Sequence, residues 1–313
     1  MMSRICLVID PMHESLFSML KNIGWEVDYQ PEITRARIKE IASNYDGLIV
    51  RSKTVIDGDL LGASPTVRFI GRAGAGLDNL DLDYLRSHNI AVLHASEGNR
   101  DAVGEYAIGT LLSLMRNIPR ADAQVREMLW EREANRGEEL MSKTVAIIGY
   151  GNMGRAFAQR LSGFGCNIIA FDKYKKSFSD AHCQEATMDQ IWENADILSL
   201  HIPLTPETRG MVTQEYLQRF RKPIILMNTA RGEIVELHVL AEGIRTGLLR
   251  GAVLDVLQNE KLDHLTPDQT TSFDFLRKRD DVIFTPHIAG WTFESHVKIN
   301  VALIDKIKLL SQA

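Results

Sequence analysis

Cysteine is scarce in this chain. Its 313 residues include three, Cys6, Cys166 and Cys183, an odd count with no C-x-x-C spacing. That excludes a disulfide framework, and the three are expected to be reduced core thiols of a cytosolic protein. An excess of charge of one sign is also lacking. The 36 basic and 41 acidic residues leave a formal net charge of -5, so there is no general attraction to nucleic acid or to an anionic membrane. No apolar run reaches the length of a membrane span. The amino-terminal MMSRICLVIDP passes at once into a strand pattern, too short and then too polar for a signal peptide. Low-complexity tracts and internal repeats are absent. These absences leave a soluble, cytoplasmic globular protein with no metal, nucleic-acid or membrane partner expected.

The length is too great for one ordinary core and suits two domains. Short β-rich runs alternate with helical patterns from end to end, the mark of α/β architecture with parallel sheets. In the first hundred residues the strand candidates are RICLVI, EVDY, DGLIV, VRFIG and IAVLH. Residues 99–121 then carry Val103, Ala107, Ile108, Leu111, Leu112, Leu114 and Met115 at helical spacing. The charged stretch 122–140, with Val125, Met128, Leu129 and Trp130, is either a solvated helix or an arm on a partner subunit. From residue 143 a new series of strands begins: TVAIIG, NIIAF, ADILSLH, PIILMN, GAVLDV and DVIFT. The last segment reads as a helix with Phe293, Val297, Val301, Ile304 and Ile307 along one face. Residues 257–281 read as a long polar loop, and long loops in compact domains are often functional.

The stretch GYGNMG places Gly149, Gly151 and Gly154 in G-x-G-x-x-G spacing, after a strand and before a helix. The first glycine permits a tight turn, the second lets backbone approach a pyrophosphate, and the third allows close helix–strand packing. The diphosphate then rests on the positive end of a helix. The next strand ends at Asp172, which can bind both ribose hydroxyls and repel a 2′-phosphate, so NAD is favoured over NADP. Lys173, Lys175 and Lys176 soften that preference. A second glycine cluster, residues 71–79, is no dinucleotide fingerprint, because Asn79 stands where the third glycine belongs. Its turn can present backbone N–H groups to a small anion.

Arg231, the pair Asp255 and Glu260, and His287 follow three further strands. In an open α/β sheet that edge is the ligand crevice. An arginine, a carboxylate and a histidine beside NAD suit hydride transfer at a carbon bearing a hydroxyl and a carboxylate. Guanidinium pairs with carboxylate through charged hydrogen bonds, and imidazole exchanges the hydroxyl proton. A carboxylate behind the ring fixes its tautomer and raises its pKa.

With these residues in place, the chain resembles the NAD-dependent D-isomer-specific 2-hydroxyacid dehydrogenases over essentially its whole length. The matching segments are VRSKT (50–54), GRAGAGLDN (71–79), EGNRDAVGE (97–105), GYGNMGR (149–155), HIPLTPETRG (201–210), NTARGEIVE (228–236), GAVLDV (251–256) and TPHIAG (285–290). The resemblance implies two domains: a Rossmann-type doubly wound NAD-binding domain at 99–290, and a smaller flavodoxin-like α/β substrate domain at 1–98 plus 291–313. It implies Arg231 as carboxylate binder, Glu260 as the partner of the histidine and His287 as acid–base. For the cofactor it adds Asn152, Met153, His201, Pro203, Thr208, Thr229, Ala230, Asp255 and Gly290 to the residues above, with Asp255 on the nicotinamide amide. For the substrate it implies Arg51, Ser52, Lys53, Arg72, Asn99 and the backbone amides of Gly74 and Ala75. It also implies a homodimer through a helical arm at 100–140.

Within the family the resemblance points first to the 3-phosphoglycerate dehydrogenases of serine biosynthesis, through VRSKT, GRAGAGLDN, Gly98–Asn99 and LWERE (129–133). A substrate phosphate would then meet Arg51, Lys53 and Arg72, with Arg132 reaching from a partner subunit. Glyoxylate or hydroxypyruvate reductases and D-lactate-type dehydrogenases share much of the pattern, and NAD-sensing corepressors can keep the trio. Some positions depart from the family pattern. Lys261 follows the glutamate where proline is common, Glu233 replaces a common glycine, and Trp291 sets a bulky ring just past the histidine. The loop from Glu260 to His287 is a few residues longer than usual. The chain stops after its closing helix, so control by serine through a carboxyl-terminal domain is not expected.

Overall fold

A computed structural model describes residues 4–63 and 65–312, with the backbone alone at 311 and 312. The chain divides into two compact units. One runs to Arg100 and resumes at Trp291, and the other is Asp101–Gly290. The start of the chain, residues 1–3, lies outside the described residues.

In the first unit the apolar runs form β1 (Arg4–Val8), β2 (Trp25–Tyr29), β3 (Gly47–Val50), β4 (Phe69–Arg72) and β5 (Ala91–His94). All pair in parallel, in the order β2-β1-β3-β4-β5, which is the flavodoxin-like arrangement. A parallel sheet needs both faces covered, and alternation along β1 shows how. Cys6 and Val8 join Leu16, Leu20, Leu303 and Ile307, while Leu7 and Ile9 join Ile38, Leu60 and Leu85. The strand order reverses between β1 and β3, where the buried Asp10 carboxylate accepts the Arg51 backbone N–H.

The closing helix Phe293–Gln312 packs on this sheet by a face that shares Ile304 and Ile307 with the one its spacing predicted but is rotated away from Phe293 and Val301. Ile299, Leu303, Ile304 and Ile307 are buried, whereas Phe293 is 93% and Val301 43% exposed. Apolar residues occur around much of this helix. The sheet selected the side whose Leu303 fits against Gly71 of β4, where a Cβ would lie 3.3 Å from it.

The second unit holds β6 (Thr144–Ile148), β7 (Asn167–Phe171), β8 (Gln184–Glu185), β9 (Ile197–Leu200), β10 (Ile224–Asn228), β11 (Leu249–Leu254) and β12 (Val282–Phe284). They are parallel in the order β12-β11-β10-β9-β6-β7-β8. This is the doubly wound dinucleotide topology, with its switch point between β6 and β9. Val145 and Ile147 pack toward Leu111, Phe157 and Leu161, and Ala146 and Ile148 toward Leu226, Leu240 and Leu254. Strand β8 has two residues, too few to carry a periodic pattern.

Three sequence expectations need correction here. The helix expected over 99–121 is two helices, Arg100–Met115 and Ile118–Arg126. Asn117 breaks them with φ +54°, and Pro119 starts the second, where its missing N–H costs nothing. The segment after Arg126 is not helical. It folds back through Asn135, which donates to Gln124 (2.6 Å) and accepts from Arg120 (2.9 Å). Finally, residues 257–281 are not one loop, because a helix occupies Pro267–Leu276. Thr266 and Gln269 cap it reciprocally and Pro267 opens it, a capping box that stands in the sequence as T-P-D-Q. Cys6 and Cys183 are buried and Cys166 partly so, all three as free thiols. Among the described residues no helix is long and apolar enough to cross a membrane.

Candidate active site

The glycine turn emerges from β6 at the switch point. Gly149 has φ +93°, and a Cβ there would lie 2.5 Å from the His201 carbonyl oxygen at the end of β9. A Cβ on Gly154 would lie 2.2 Å from the Gly149 carbonyl, so both positions are closed to any side chain. Gly151 differs, since a Cβ there would meet nothing within 4 Å. The turn is thus packed at its first and third glycines and open at its second, where a diphosphate would approach. Asn152 and Met153 begin the helix Asn152–Leu161, whose first amides receive no side-chain cap from Gly151. Uncapped amides at a helix start are donors for an anion.

Asp172, at the end of β7, accepts from the backbone N–H groups of Tyr150 (2.9 Å), Tyr174 (3.0 Å) and Lys175 (3.1 Å). Burial alone would raise its pKa, but these three bonds outweigh it and hold the carboxyl below the usual range. A carboxylate offers about four lone-pair sites, so one remains for a ribose hydroxyl. Of the neighbouring lysines, Lys173 pairs with Glu207 and Lys175 donates to the Tyr150 carbonyl at 2.7 Å. Lys173 is thereby drawn away from Asp172, whereas the Lys175 charge still acts on it and helps to lower its pKa.

His201 lies with its ring against Phe157 and its Nε2 2.9 Å from Ser199 Oγ. Burial pushes its pKa down to about 4, so it is neutral. Thr208 closes the following loop by donating to the Pro203 carbonyl at 2.7 Å. After β10 the Ala230 N–H donates to the buried Asn228 side chain at 3.0 Å, and Thr229 Oγ1 is buried with no partner in the protein. The open second glycine, the spare lone pair of Asp172 and the orphaned Thr229 hydroxyl together fit NAD.

Three strand ends carry the chemistry. Arg231 follows β10 in extended conformation, and its Nη1 donates to the Ala230 carbonyl at 2.6 Å. Gly232 brings this stretch against the chain beyond β11, where a Cβ would fall 1.9 Å from the Leu257 carbonyl. Glu260 lies three residues further on. His287 follows β12 in a left-handed turn, φ +57°, with its Nδ1 2.9 Å from Glu260 Oε1. That hydrogen bond raises the His287 pKa, while burial and the Arg231 guanidinium oppose the rise. Nδ1 is committed to Glu260, so Nε2 is the nitrogen left to exchange a proton.

Residues 108–289 match the model of the NAD binding domain of the D-isomer specific 2-hydroxyacid dehydrogenases. The chain belongs to this family. A D-3-phosphoglycerate dehydrogenase of Archaeoglobus fulgidus is 32% identical over 303 residues, which cover 96% of this chain and 56% of that protein. A hydroxypyruvate reductase of Thermotoga maritima is 33% identical over 301 residues, 96% of each chain. The crystal structure of a D-lactate dehydrogenase from Aquifex aeolicus, complexed with NAD and lactic acid, shares the fold. Its TM-score is 0.83 at 24% identity, over 99% of this chain and 96% of that one. The chain spans 56% of the length of the phosphoglycerate dehydrogenases from A. fulgidus and Methanocaldococcus jannaschii.

Asp255 is 1% exposed. Its carboxylate accepts from Thr285 Oγ1 (2.6 Å) and from the N–H groups of Ile288 and Ala289 (2.8 Å each). A residue expected on the nicotinamide thus also shapes the turn of His287, next to Gly290. In the first unit, Arg51 stacks its guanidinium 4.5 Å from the centre of the Trp291 ring, which in turn meets His296 edge-on at 4.7 Å. Lys53 is tied to the carbonyls of Pro31 and Ile33, beside an exposed Ser52. The Gly74 N–H, expected with that of Ala75 to face an anion, instead donates to the Arg72 carbonyl at 2.9 Å. Arg72 lies against Gly74, where a Cβ would meet its Nη1 at 2.0 Å, because an open glycine face is the space its guanidinium fills. Asn99 precedes the helix Arg100–Met115 with its Oδ1 buried and unpartnered. Sequence reasoning passed over Asn228, Gly232, Tyr106 and Thr285. Only Thr285 had a local signal, as a hydroxyl two residues before the histidine.

Proposed function

We propose that the protein transfers hydride between NAD and a D-2-hydroxy acid or its 2-oxo acid, with 3-phosphoglycerate as the leading substrate. The observation that carries this is the His287–Glu260 pair at 2.9 Å, within electrostatic reach of Arg231 in the unit that holds the glycine turn. NAD supplies or accepts the hydride. Arg231 holds the substrate carboxylate and polarises the adjacent oxygen. In oxidation His287 Nε2 takes the hydroxyl proton, and in reduction it returns it. Glu260 keeps Nδ1 protonated and stabilises the imidazolium.

The first unit, on this reading, is the substrate-binding domain, and Arg51 is its main cation for a substrate phosphate, since Lys53 is already occupied by carbonyls. The hydroxypyruvate reductase that matches end to end supports hydroxypyruvate as the second candidate. We assign a homodimer interface to the segment around the helix Ile118–Arg126. Ile118, Val125, Met128, Leu129 and Trp130 are exposed there, Trp130 at 83%, and apolar side chains gathered on a surface are what a protein–protein contact uses.

The test is a panel of 3-phosphohydroxypyruvate, hydroxypyruvate, glyoxylate and pyruvate with NADH and NADPH. His287→Ala should cut turnover by about 10²-fold or more while NADH affinity stays close to wild type. Normal turnover by that variant refutes the mechanism. Tight NADH binding without turnover of any 2-oxo acid marks an NAD-sensing corepressor instead.

A further inference from the structure

His287 stands in a backbone conformation it does not favour. For a residue other than glycine the left-handed region costs about 1–2 kcal/mol, so its turn must be held from outside. Asp255 does this from both ends: its carbonyl accepts the His287 N–H at 2.8 Å, and its carboxylate gathers the next two N–H groups. Behind the carboxylate lies a second layer. Thr285 Oγ1 sits 2.6 Å from Asp255 Oδ1, and the Tyr106 hydroxyl is hydrogen-bonded to Thr285 Oγ1. Thr285 has a single proton and gives it to the carboxylate, so the Tyr106 phenol donates to the Thr285 oxygen. Burial pushes the phenol pKa well above its ordinary value, which keeps it a donor.

We propose that Tyr106 and Thr285 are positioning residues for His287, tying its turn through Asp255 to the helix Arg100–Met115. This rests on the reading of His287 as the acid–base group. Tyr106 is 179 residues from Thr285 in sequence, so the relay couples the first helix of this unit to its last strand. Without it, Asp255 keeps its two backbone bonds but loses the Thr285 hydroxyl that donates to it at 2.6 Å, and the ring can swing from Glu260.

The test uses Tyr106→Phe, Thr285→Val, Thr285→Ser and the Tyr106→Phe/Thr285→Val double variant. Each is measured for kcat, KM, NADH affinity and the His287 pKa by NMR titration of the protein without substrate. Thr285→Val should lower kcat about tenfold or more, in line with a misplaced base. Tyr106→Phe should lower it about fivefold, as for one ordinary hydrogen bond. NADH affinity should hold, and the His287 pKa should fall in both as Nδ1 loosens from Glu260. Because the two act in series, the double variant should be no worse than Thr285→Val alone, and Thr285→Ser should restore both readouts. Effects that multiply, a serine variant as poor as valine, or an unmoved His287 pKa overturn the proposal. If Thr285→Val fails to fold, Tyr106→Phe and Thr285→Ser decide it. The titration needs no turnover, so a wild type inactive on every 2-oxo acid would sink the catalytic reading while the relay is still judged by the pKa.

Discussion

Gly232→Ala adds one methyl group at the point where two parts of the site are pressed together. Its Cβ would lie 1.9 Å from both the carbonyl carbon and oxygen of Leu257 and 2.5 Å from the Gln258 nitrogen. Carbon atoms normally meet at about 3.5 Å or more, so the two chains must part by about 1.6 Å. The obstacle is backbone, which cannot rotate away, and the Gln258 side chain is fixed by the Leu237 N–H at 3.1 Å. Gly232 does not have positive φ, so the effect is contact alone and not backbone strain. Overpacking of this kind costs about 1–3 kcal/mol, and for a unit of this size Tm falls by about 2–4 °C per kcal/mol. The chemical effect should be larger. The segments driven apart carry Arg231 and Glu260, and a misplacement of about 1 Å can cost 10²-fold in rate. Thermal unfolding, NADH titration and kcat/KM on the preferred 2-oxo acid make the assay. The expected result is a modest loss of Tm, nearly unchanged NADH affinity and a rate down by about two orders of magnitude. A variant with wild-type Tm and rate would show that this backbone contact does not set the geometry of the site.

Glu260→Gln removes the main cause of the raised His287 pKa. Reduction needs the imidazolium, so the alkaline limb of its pH profile should move to lower pH, and the acid limb of oxidation should move the same way. An unmoved profile would separate Glu260 from His287. The pair's stability contribution is present below the unfolded histidine pKa and lost as pH rises through the raised folded value, so any loss of Tm should be larger in acid than in alkali. It should also be small, because both side chains are about half exposed. Trp130→Glu places a charge on the apolar segment assigned to the dimer. Light scattering should find the wild type dimeric and the variant shifted toward monomer with its thermal stability kept, and a monomeric wild type would refute that interface.

The sequence by itself determined the features that repeat locally or depend on one turn of chain. Alternating apolar runs placed eleven of the strands, because a buried parallel strand must be apolar along its length. The dinucleotide turn was legible because each glycine answers a steric demand within a few residues, as Gly149 and Gly154 do in the fold. Other local signals were present and unread. The T-P-D-Q box of the helix Pro267–Leu276 and the Asn117 stop before Pro119 both stood in the sequence. Tertiary structure alone decided the rest. Which face of the closing helix is buried depended on Leu303 finding Gly71, and its own periodicity pointed to a face only partly the same. That Asp255 braces the His287 turn, and that Tyr106 stands behind Thr285, follows from bonds between residues far apart in the chain. Such bonds leave no spacing to read, since their partners are brought together by strand order and helix packing rather than by chain connectivity.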